Sequence, residues 1–181
     1  MSALDSNTHQ TRHPNIMTRF LRTISQLSLF FVLTSGAIAG VVNVGDPAPK
    51  LKGELFSGKK FDLAEHRGQV VMINFYSSYC KSCAYEIGNI ESYRESERGK
   101  QLIFIAIGVD ADSDRHRVAG ILGAYNLDGM MMQDIEESGF NSSYRTPTVF
   151  VIDKRGTVRL KQRGSKMLSW FTDHIDPLID E

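Results

Sequence analysis

Apolar runs alternate along this chain with segments of helical periodicity. Residues 69–76 and 101–109 are almost uniformly apolar, which predicts two buried strands, because a strand covered on both faces shows no polar alternation. Between them, residues 81–98 place apolar side chains at helical spacing on one face and predict a helix. A helix that connects two buried strands is the unit from which parallel sheets are built.

The flanking segments extend this pattern on both sides. Short alternating runs over residues 51–56 and 60–63, separated by a Ser-Gly-Lys turn, predict a hairpin before the first buried strand. After the second buried strand the sequence predicts, in order, a helix capped by Asp112-Ser113-Asp114, a short strand over 130–133, a helical turn over 135–140, a hairpin of strands 148–152 and 157–162, and one amphipathic helix over 165–179. The predicted fold class is therefore α/β, with a mixed central sheet, an N-terminal hairpin and helices on both faces.

Composition and charge bear only on the partners and cofactors that this chain could bind. With 21 basic and 21 acidic side chains the chain has no formal net charge, so nothing favours a nucleic-acid partner. The run Met130-Met131-Met132 contains side chains that can bind copper, but consecutive residues of a strand point to opposite faces, which favours core packing. We therefore predict neither a metal site nor another cofactor.

The first 39 residues have the pattern of a secretory signal peptide. Arg19 and Arg22 precede a short apolar run over residues 27–33, and Ala37-Ile38-Ala39 matches an Ala-x-Ala cleavage site. The run is short of the roughly 20 residues that a membrane-spanning helix needs. We predict a signal peptide over 1–39, with Met17 as an alternative start, and an exported, periplasmic domain over 40–181. Without cleavage the same segment would be a membrane anchor.

Cys80 and Cys83 are the two cysteines of the chain, and they follow the first buried strand. Reactive groups collect at the carboxyl ends of strands in α/β sheets, and a helix N-terminus beside Lys81 stabilises a thiolate. A structural disulfide and half of a metal site are the alternatives. So short a bridge stabilises a fold by only about 2 kcal/mol, and a zinc site needs two further ligands. The pattern favours thiol-disulfide exchange, with Cys80 as the attacking and Cys83 as the resolving thiol.

The motifs around this pair resemble those of the TlpA/ResA/CcmG-like family of exported thiol-disulfide oxidoreductases. The markers are Gly-Asp-Pro-Ala-Pro at residues 45–49, Asn74-Phe75, Cys80-Lys81-Ser82-Cys83-x-x-Glu86, and Thr146-Pro147 before an apolar strand. The resemblance extends from about residue 45 to the C-terminus and implies a thioredoxin-like three-layer sandwich. The chain departs from the family in having Tyr79 in place of Trp, Gly88 in place of Pro, and no Pro between the cysteines. These departures leave the redox potential open.

The resemblance implies an acid/base role for Glu86, which follows Cys83 by one helical turn. Thioredoxins have a buried Asp where this chain has Asn74, and Asn cannot carry the proton of the resolving cysteine. In the similar family the Glu takes over this role. The alternative is an ordinary solvated helix residue.

The resemblance also implies a substrate-binding side of the site. Pro147 would be cis and would face the dithiol, which leaves the backbone of Thr146 free to pair with an extended substrate chain. The alternative is a trans Pro at a strand edge. Tyr79 would flank the dithiol as an aromatic contact, or would be a partly buried residue at the strand end.

The predicted function is thiol-disulfide exchange with protein dithiols or disulfides by a monomeric reductant that a membrane thiol relay keeps reduced. Apocytochrome c is the substrate that the resemblance implies. A peroxiredoxin-like peroxidase is one alternative, since Ser77 precedes Cys80 by three residues, but such enzymes resemble one another in a Pro at the position of Ile73. A non-enzymatic assembly module on the same fold is the other.

Overall fold

The computed structural model describes residues 41–140 and 145–181. The predicted signal peptide and the alternative start at Met17 lie outside the described residues. Within the described ranges, no helix is both long and apolar enough to cross a membrane.

The described chain alternates strands and helices in the order that the sequence predicts, with a few differences given below. The strands are β1 (Leu51–Glu54), β2 (Lys60–Asp62), β3 (Val70–Tyr76), β4 (Leu102–Gly108), β5 (Gly129–Met131), β6 (Ile135–Ser138), β7 (Thr148–Ile152) and β8 (Val158–Arg163). The helices are α1 (Lys81–Arg94), α2 (Arg115–Ala124), α3 (Leu168–His174) and α4 (Asp176–Asp180).

A five-stranded mixed sheet in the order β5-β4-β3-β7-β8 forms the centre of the fold. β3 is parallel to β4 and antiparallel to β7, and every residue of β3 is buried, which confirms the prediction of a central strand. The register pairs Phe75 with Thr148, so the start of β7 lies beside the end of β3. Residues just after β3 and just before β7 therefore meet at the same edge of the sheet.

The two faces of this sheet are covered by different layers. Alternate residues of β3 belong to two separate apolar clusters, because successive side chains of a strand point to opposite faces. Met72 and its face pack against α1, α2, α3 and α4. Ile73 and its face pack against the small sheet β2-β1-β6 and a 3₁₀ turn at Leu63–His66. The three-layer sandwich is confirmed, but among the described residues this second face is covered by the small sheet and short 3₁₀ turns, at Leu63–His66 and Met132–Asp134, and not by long helices.

The crossover rule explains why the long helices share a face. β3, β4 and β5 are parallel neighbours that follow one another in the same direction across the sheet. Right-handed crossovers in a constant direction place both connecting helices, α1 and α2, on one side. The hairpin sheet is then left to cover the other side, and it also buries Met130 within its cluster, as predicted for the methionine run.

Two predicted elements are wrong. Residues 135–140 were expected to form a helical turn, but β6 pairs there with β1 as the edge of the small sheet, with Ser138 opposite Leu51. The closing helix is two helices rather than one. It breaks at Ile175, where Pro177 lies in the first turn of α4, because a proline supplies no amide to continue a helix.

Two helix ends also differ from the prediction. α1 ends at Arg94, four residues early, and the chain then folds back so closely that a Cβ at Gly99 would lie 1.9 Å from the carbonyl oxygen of Tyr93. Asp112–Asp114 does not cap α2 through its side chains but forms a 3₁₀ turn before the helix. The carboxylate of Asp114 instead binds Tyr79, as described next.

Candidate active site

Cys80 and Cys83 form a disulfide at the start of α1, with 5.2 Å between their Cα atoms. Cys80 is the N-cap residue of the helix, and its Sγ accepts a hydrogen bond from the backbone N–H of Cys83 at 3.1 Å. Cys80 is partly exposed, whereas Cys83 is 0% exposed. Of the two cysteines, Cys80 is therefore the more exposed and Cys83 lies in the core; their roles as attacking and resolving thiols stay a prediction.

The loop between β3 and the dithiol is held by Asp110, which follows β4 and is 7% exposed. Its carboxylate accepts hydrogen bonds from the Ser77 hydroxyl at 2.9 Å and from the backbone N–H of Ser78 at 3.0 Å. Sequence reasoning missed Asp110. Its signal was readable, because an acidic residue at the carboxyl end of a parallel strand next to β3 lies at the edge where β3 delivers the cysteines.

Tyr79 presents an exposed aromatic surface beside Cys80. Tyr79 is 64% exposed, so the alternative of a partly buried residue is wrong, and its role as an aromatic contact of the dithiol stays a prediction. Its hydroxyl donates to Asp114 Oδ1 at 2.7 Å, and the guanidinium of Arg117 lies 4.6 Å from the ring centroid. The start of α2 thus fixes the orientation of this ring, by a hydrogen bond at its edge and a cation over its face.

Glu86 is 0% exposed, one helical turn after Cys83 on α1. Its Oε2 accepts a hydrogen bond from the Asn74 side-chain amide of β3 at 2.8 Å. Its Oε1 lies 3.3 Å from the ammonium of Lys166, which is itself 3% exposed. The alternative of a solvated helix residue is therefore wrong, and the pairing of Asn74 with Glu86 that the resemblance implies is a direct contact.

The pKa shifts of Glu86 and Lys166 follow from the burial of both side chains. Burial raises the pKa of the Glu86 carboxyl above its ordinary value, and the nearby Lys166 ammonium and the Asn74 amide oppose that shift without cancelling it. Burial lowers the pKa of the Lys166 ammonium, against the attraction of Glu86. A carboxylate with a raised pKa is a stronger proton acceptor than a surface glutamate, and this one lies a single helical turn from a buried thiol position.

The Thr146–Pro147 peptide bond is cis, as the resemblance implies. The register of β7 on β3 places Pro147 next to the end of β3, at the sheet edge from which the dithiol loop departs. Pro147 is buried and Thr146 is partly exposed. The Pro147 carbonyl accepts a hydrogen bond from the backbone N–H of Gly164, which ties this loop to the segment after β8.

Lys166 is the second residue that sequence reasoning missed. It lies in the loop between β8 and α3, far from the dithiol in sequence. A lone lysine in a loop carries no signal of burial, since lysines are almost always exposed. Tertiary contacts of its loop with α1 bring it to Glu86, among them a hydrogen bond from the Asn89 side chain to the Lys166 carbonyl.

The fold, together with a cysteine pair that is exposed at one sulfur and buried at the other, defines a thiol-disulfide oxidoreductase of the thioredoxin type. A family model described as the AhpC/TSA family matches residues 44–161, and the chain belongs to that family.

Similar proteins agree with this assignment. The chain is 29% identical over 127 residues to the thiol-disulfide oxidoreductase ResA of Bacillus cereus, covering 69% of this chain and 72% of that protein. It is 24% identical over 121 residues to the thioredoxin-like protein YneN of Bacillus subtilis, covering 65% and 70%. These relatives confirm the resemblance to the TlpA/ResA/CcmG-like group.

Among solved structures, the chain resembles a putative thiol:disulfide interchange protein DsbE from Chlorobium tepidum. The TM-score is 0.64 at 20% identity, over 76% of this chain and 99% of that one. At this identity the likeness supports the thioredoxin-like fold alone.

Proposed function

We propose that this protein is an exported reductant of protein disulfides, in which Cys80 attacks, Cys83 resolves and Glu86 manages the proton of Cys83. The observation that carries the proposal is the asymmetry of the site. Cys80 is accessible at a helix N-terminus, while Cys83 and Glu86 are both fully buried one helical turn apart. A structural disulfide needs no buried acid beside its inner cysteine.

In the first step the reduced protein presents Cys80 as a thiolate. Its sulfur attacks one sulfur of a substrate disulfide, a mixed disulfide forms, and the other substrate sulfur leaves as a thiolate. The substrate chain lies in extended form against the backbone of Thr146, before Pro147, by β-augmentation. Tyr79, exposed on the other side, contacts the same chain.

In the second step Cys83 passes its proton to the Glu86 carboxylate. The Cys83 thiolate attacks Cys80 Sγ, the Cys80–Cys83 disulfide closes, and the second substrate thiolate is released. The substrate gains two electrons, which the protein loses. A membrane dithiol relay returns the two electrons and so reduces the Cys80–Cys83 disulfide again. The Cys83 thiol regains its proton from Glu86 or from water.

The direction and the location follow from the family resemblance and from the N-terminal sequence. Residues 1–39 act as the signal peptide, and the oxidoreductase domain, a monomer, extends over 40–181. The substrate class is protein disulfides in general, because backbone pairing at Thr146 is independent of substrate sequence. Apocytochrome c, with its pair of haem-site cysteines, is the first substrate to test. N-terminal sequencing of exported protein is expected to begin at Gly40, and an intact segment before it would refute cleavage.

The decisive experiment combines the reduction potential of the Cys80–Cys83 couple with the reduction of insulin by the wild type and two variants. We expect a potential well below about −200 mV, whereas a value near about −120 mV would indicate an oxidant. Cys80→Ser should abolish insulin reduction. Cys83→Ser should retain attack but accumulate a mixed disulfide, because the resolving thiol is missing. Equal residual activity in both variants would refute the assigned roles.

The peroxidase alternative has less support from the geometry of the site. The Ser77 hydroxyl donates to Asp110 rather than to Cys80, and position 73 is an isoleucine buried within β3. We therefore expect peroxide consumption to depend on prior reduction of the dithiol and to be slower than insulin reduction. Rapid peroxide turnover that survives Cys83→Ser would reverse this assignment.

A further inference from the structure

Lys166 is a buried cation without an evident structural reason. Its side chain is 2% exposed, and the Glu86 side chain that it faces is 0% exposed. Taking two charges out of water costs several kcal/mol per ion, so a buried ion pair is weak evidence of added stability. An apolar residue after β8 would close this part of the core at lower cost. The burial of the Lys166–Glu86 ion pair is therefore better explained by function than by stability.

The surroundings of Lys166 fix its ammonium in one position. Two of its three N–H groups are directed to backbone carbonyls, donating to Gln162 at 3.0 Å and to Gly164 at 2.5 Å. Glu86 Oε1 lies 3.3 Å away, and this oxygen is buried without a hydrogen bond to any of the described residues. The carboxylate therefore has the Lys166 ammonium beside it, and the backbone N–H of Lys166 acts on its pKa in the same direction as that charge.

We propose that Lys166 is a positioning residue that holds Glu86 as a carboxylate inside the core, ready to receive the proton of Cys83. This inference rests on the proposed function and adds a residue to it. Without a cation, a buried glutamate would be protonated at neutral pH and could not accept a proton. With Lys166, the carboxylate persists in a dry environment where it is a strong base.

Three elements pack around Glu86 and Lys166 and contribute side chains near them. β3 contributes Asn74, which has no titratable proton, and α1 contributes Cys83 beside Glu86 itself. α3 contributes the Trp170 ring, 5.8 Å from the Lys166 ammonium, and His174, which stacks on that ring at 4.8 Å. Among the described residues, Lys166 is the cation that opposes the effect of burial on Glu86.

The loop that carries Lys166 also touches the two other parts of the site. The backbone N–H of Gly164 donates to the Pro147 carbonyl at 3.0 Å. The Asn89 side chain on α1 donates to the Lys166 carbonyl at 3.0 Å. The segment after β8 therefore fixes the position of Lys166 relative to both the active-site helix and the cis-proline loop. These two hydrogen bonds to parts of the active site, and not core packing alone, determine where Lys166 lies.

The test measures the rate of insulin reduction by the prereduced full chain, from mildly acidic to mildly alkaline pH. The proteins are the wild type, Glu86→Gln, Lys166→Met and the double variant. The wild type should show a transition that Glu86→Gln lacks. In Lys166→Met its midpoint should move up by about one pH unit or more, and the rate at neutral pH should fall about tenfold. The double variant should match Glu86→Gln, because Lys166 acts through Glu86.

Lys154→Met is the matched control. Lys154 also donates its ammonium to a backbone carbonyl, that of Ile179 at 2.6 Å, but away from the dithiol. This variant should leave the midpoint in place. A ¹³C NMR titration of the Glu86 carboxyl in each protein reports the same shift without turnover. An unmoved NMR midpoint in Lys166→Met overturns the inference.

Two further outcomes separate this inference from the proposed function. A wild type whose rate profile equals that of Glu86→Gln refutes the role of Glu86, while the NMR titration still decides whether Lys166 keeps it ionised. If Lys166→Met does not fold, the double variant should fold, since neither buried charge remains. A double variant that also fails to fold would assign Lys166 a structural role and refute the inference.

Discussion

Glu86 and Asp153 are both buried carboxylates, 0% and 3% exposed, yet they lie in opposite environments. Asp153 follows β7 and accepts hydrogen bonds from the backbone N–H groups of Arg155 at 3.0 Å and Thr157 at 2.9 Å. Arg159 adds a third donor at 3.1 Å. Glu86 has one amide donor and one ammonium, and one of its oxygens has no hydrogen bond among the described residues.

The cations of the two sites differ as much as the carboxylates. The Arg159 side chain is 32% exposed and also binds Glu181, so its charge stays partly in water. Lys166 is almost fully buried and has Glu86 as its carboxylate partner. Removing a carboxylate therefore leaves a solvated, still paired cation at one site, and an isolated buried cation at the other.

The pKa values move in opposite directions as a result. At Asp153 burial alone would raise the pKa, but the backbone N–H groups of Thr157 and Arg155 with the Arg159 guanidinium lower it. At Glu86 burial raises the pKa, and Lys166 and Asn74 do not reverse the shift. Burial alone thus does not decide the protonation of a carboxylate. The donors around Asp153 favour its anion in a hairpin turn, whereas those around Glu86 do not reverse the effect of burial.

The largest expected effect is on the stability of Glu86→Gln. At neutral pH this variant should lose about 3–5 kcal/mol in its free energy of unfolding, because Lys166 is left buried without a counter-charge. Burial lowers the pKa of the Lys166 ammonium in the folded state. Between the folded and the unfolded pKa of Lys166, the unfolded chain therefore binds more protons than the folded one. The variant should regain stability as pH rises through this range.

Urea unfolding at several pH values, followed by the fluorescence of Trp170, the one tryptophan of the chain, measures this effect. Lys166→Met/Glu86→Gln serves as the control, since it has no buried charge and should lose the dependence on pH above neutrality. A Glu86→Gln variant whose stability is flat with pH would show that Lys166 is already neutral in the folded protein.

Asp153→Asn should have a smaller effect, of about 1–3 kcal/mol, because Arg159 keeps Glu181 as a partner. The pKa of Asp153 is lowered in the folded state. Its contribution to the free energy of unfolding is therefore fully present above the unfolded-state pKa of about 3.9, and it is lost as pH falls through the folded-state pKa. The loss in the variant should therefore be constant at neutral pH and vanish in acid.

Urea unfolding tests this prediction too, with exposed Asp173→Asn as the matched control that should change little. The rate of insulin reduction should stay within about twofold of the wild type, since the side-chain contacts of Asp153 among the described residues are with Arg155, Thr157 and Arg159 and not with the dithiol. A shifted pH profile of exchange in Asp153→Asn would contradict the separation of the two carboxylates.

Much of the fold was predictable because its strongest signals are local. The apolar runs of β3 and β4, the CxxC at the end of β3 and the hairpin of β7 and β8 each depend on neighbouring residues. The family resemblance implied a role for Glu86 where this chain has Asn74, but the contact between the two side chains came from the structure. The break in the closing helix was readable from Pro177, and weighing its missing amide would have corrected that prediction.

The rest depends on contacts between distant segments. β6 has a polar sequence without alternation, and it becomes a strand only because β1 offers it an open edge. The sequence predicts an exposed lysine at position 166, but in the folded protein α3 packs on α1 and Lys166 is buried beside them. The burial of Glu86 has the same origin, so the protonation chemistry of the site is a property of tertiary packing.

The smallest effects should come from two glycines, one in contact with Lys166 and the other with Asp153. Gly164 (φ +81°) precedes Lys166, and Gly156 (φ +84°) follows Asp153; a side chain at such φ values costs about 1 kcal/mol. A Cβ at Gly164 meets nothing within 4 Å, whereas at Gly156 it would lie 2.0 Å from the flexible end of Arg67. Gly164→Ala and Gly156→Ala should therefore destabilise the protein by similar, small amounts in urea unfolding.

Their effects on exchange should differ. Gly164 donates to the Pro147 carbonyl and accepts from Lys166, so strain there displaces the cation from Glu86 and should move the midpoint of the insulin-reduction profile to higher pH. Gly156 donates to the Asp153 carbonyl and accepts from the backbone N–H of Ala48, so its contacts do not involve Lys166 and its variant should keep the wild-type midpoint. Equal shifts in both variants would mean that loss of stability, rather than the position of Lys166, sets the pH dependence of exchange.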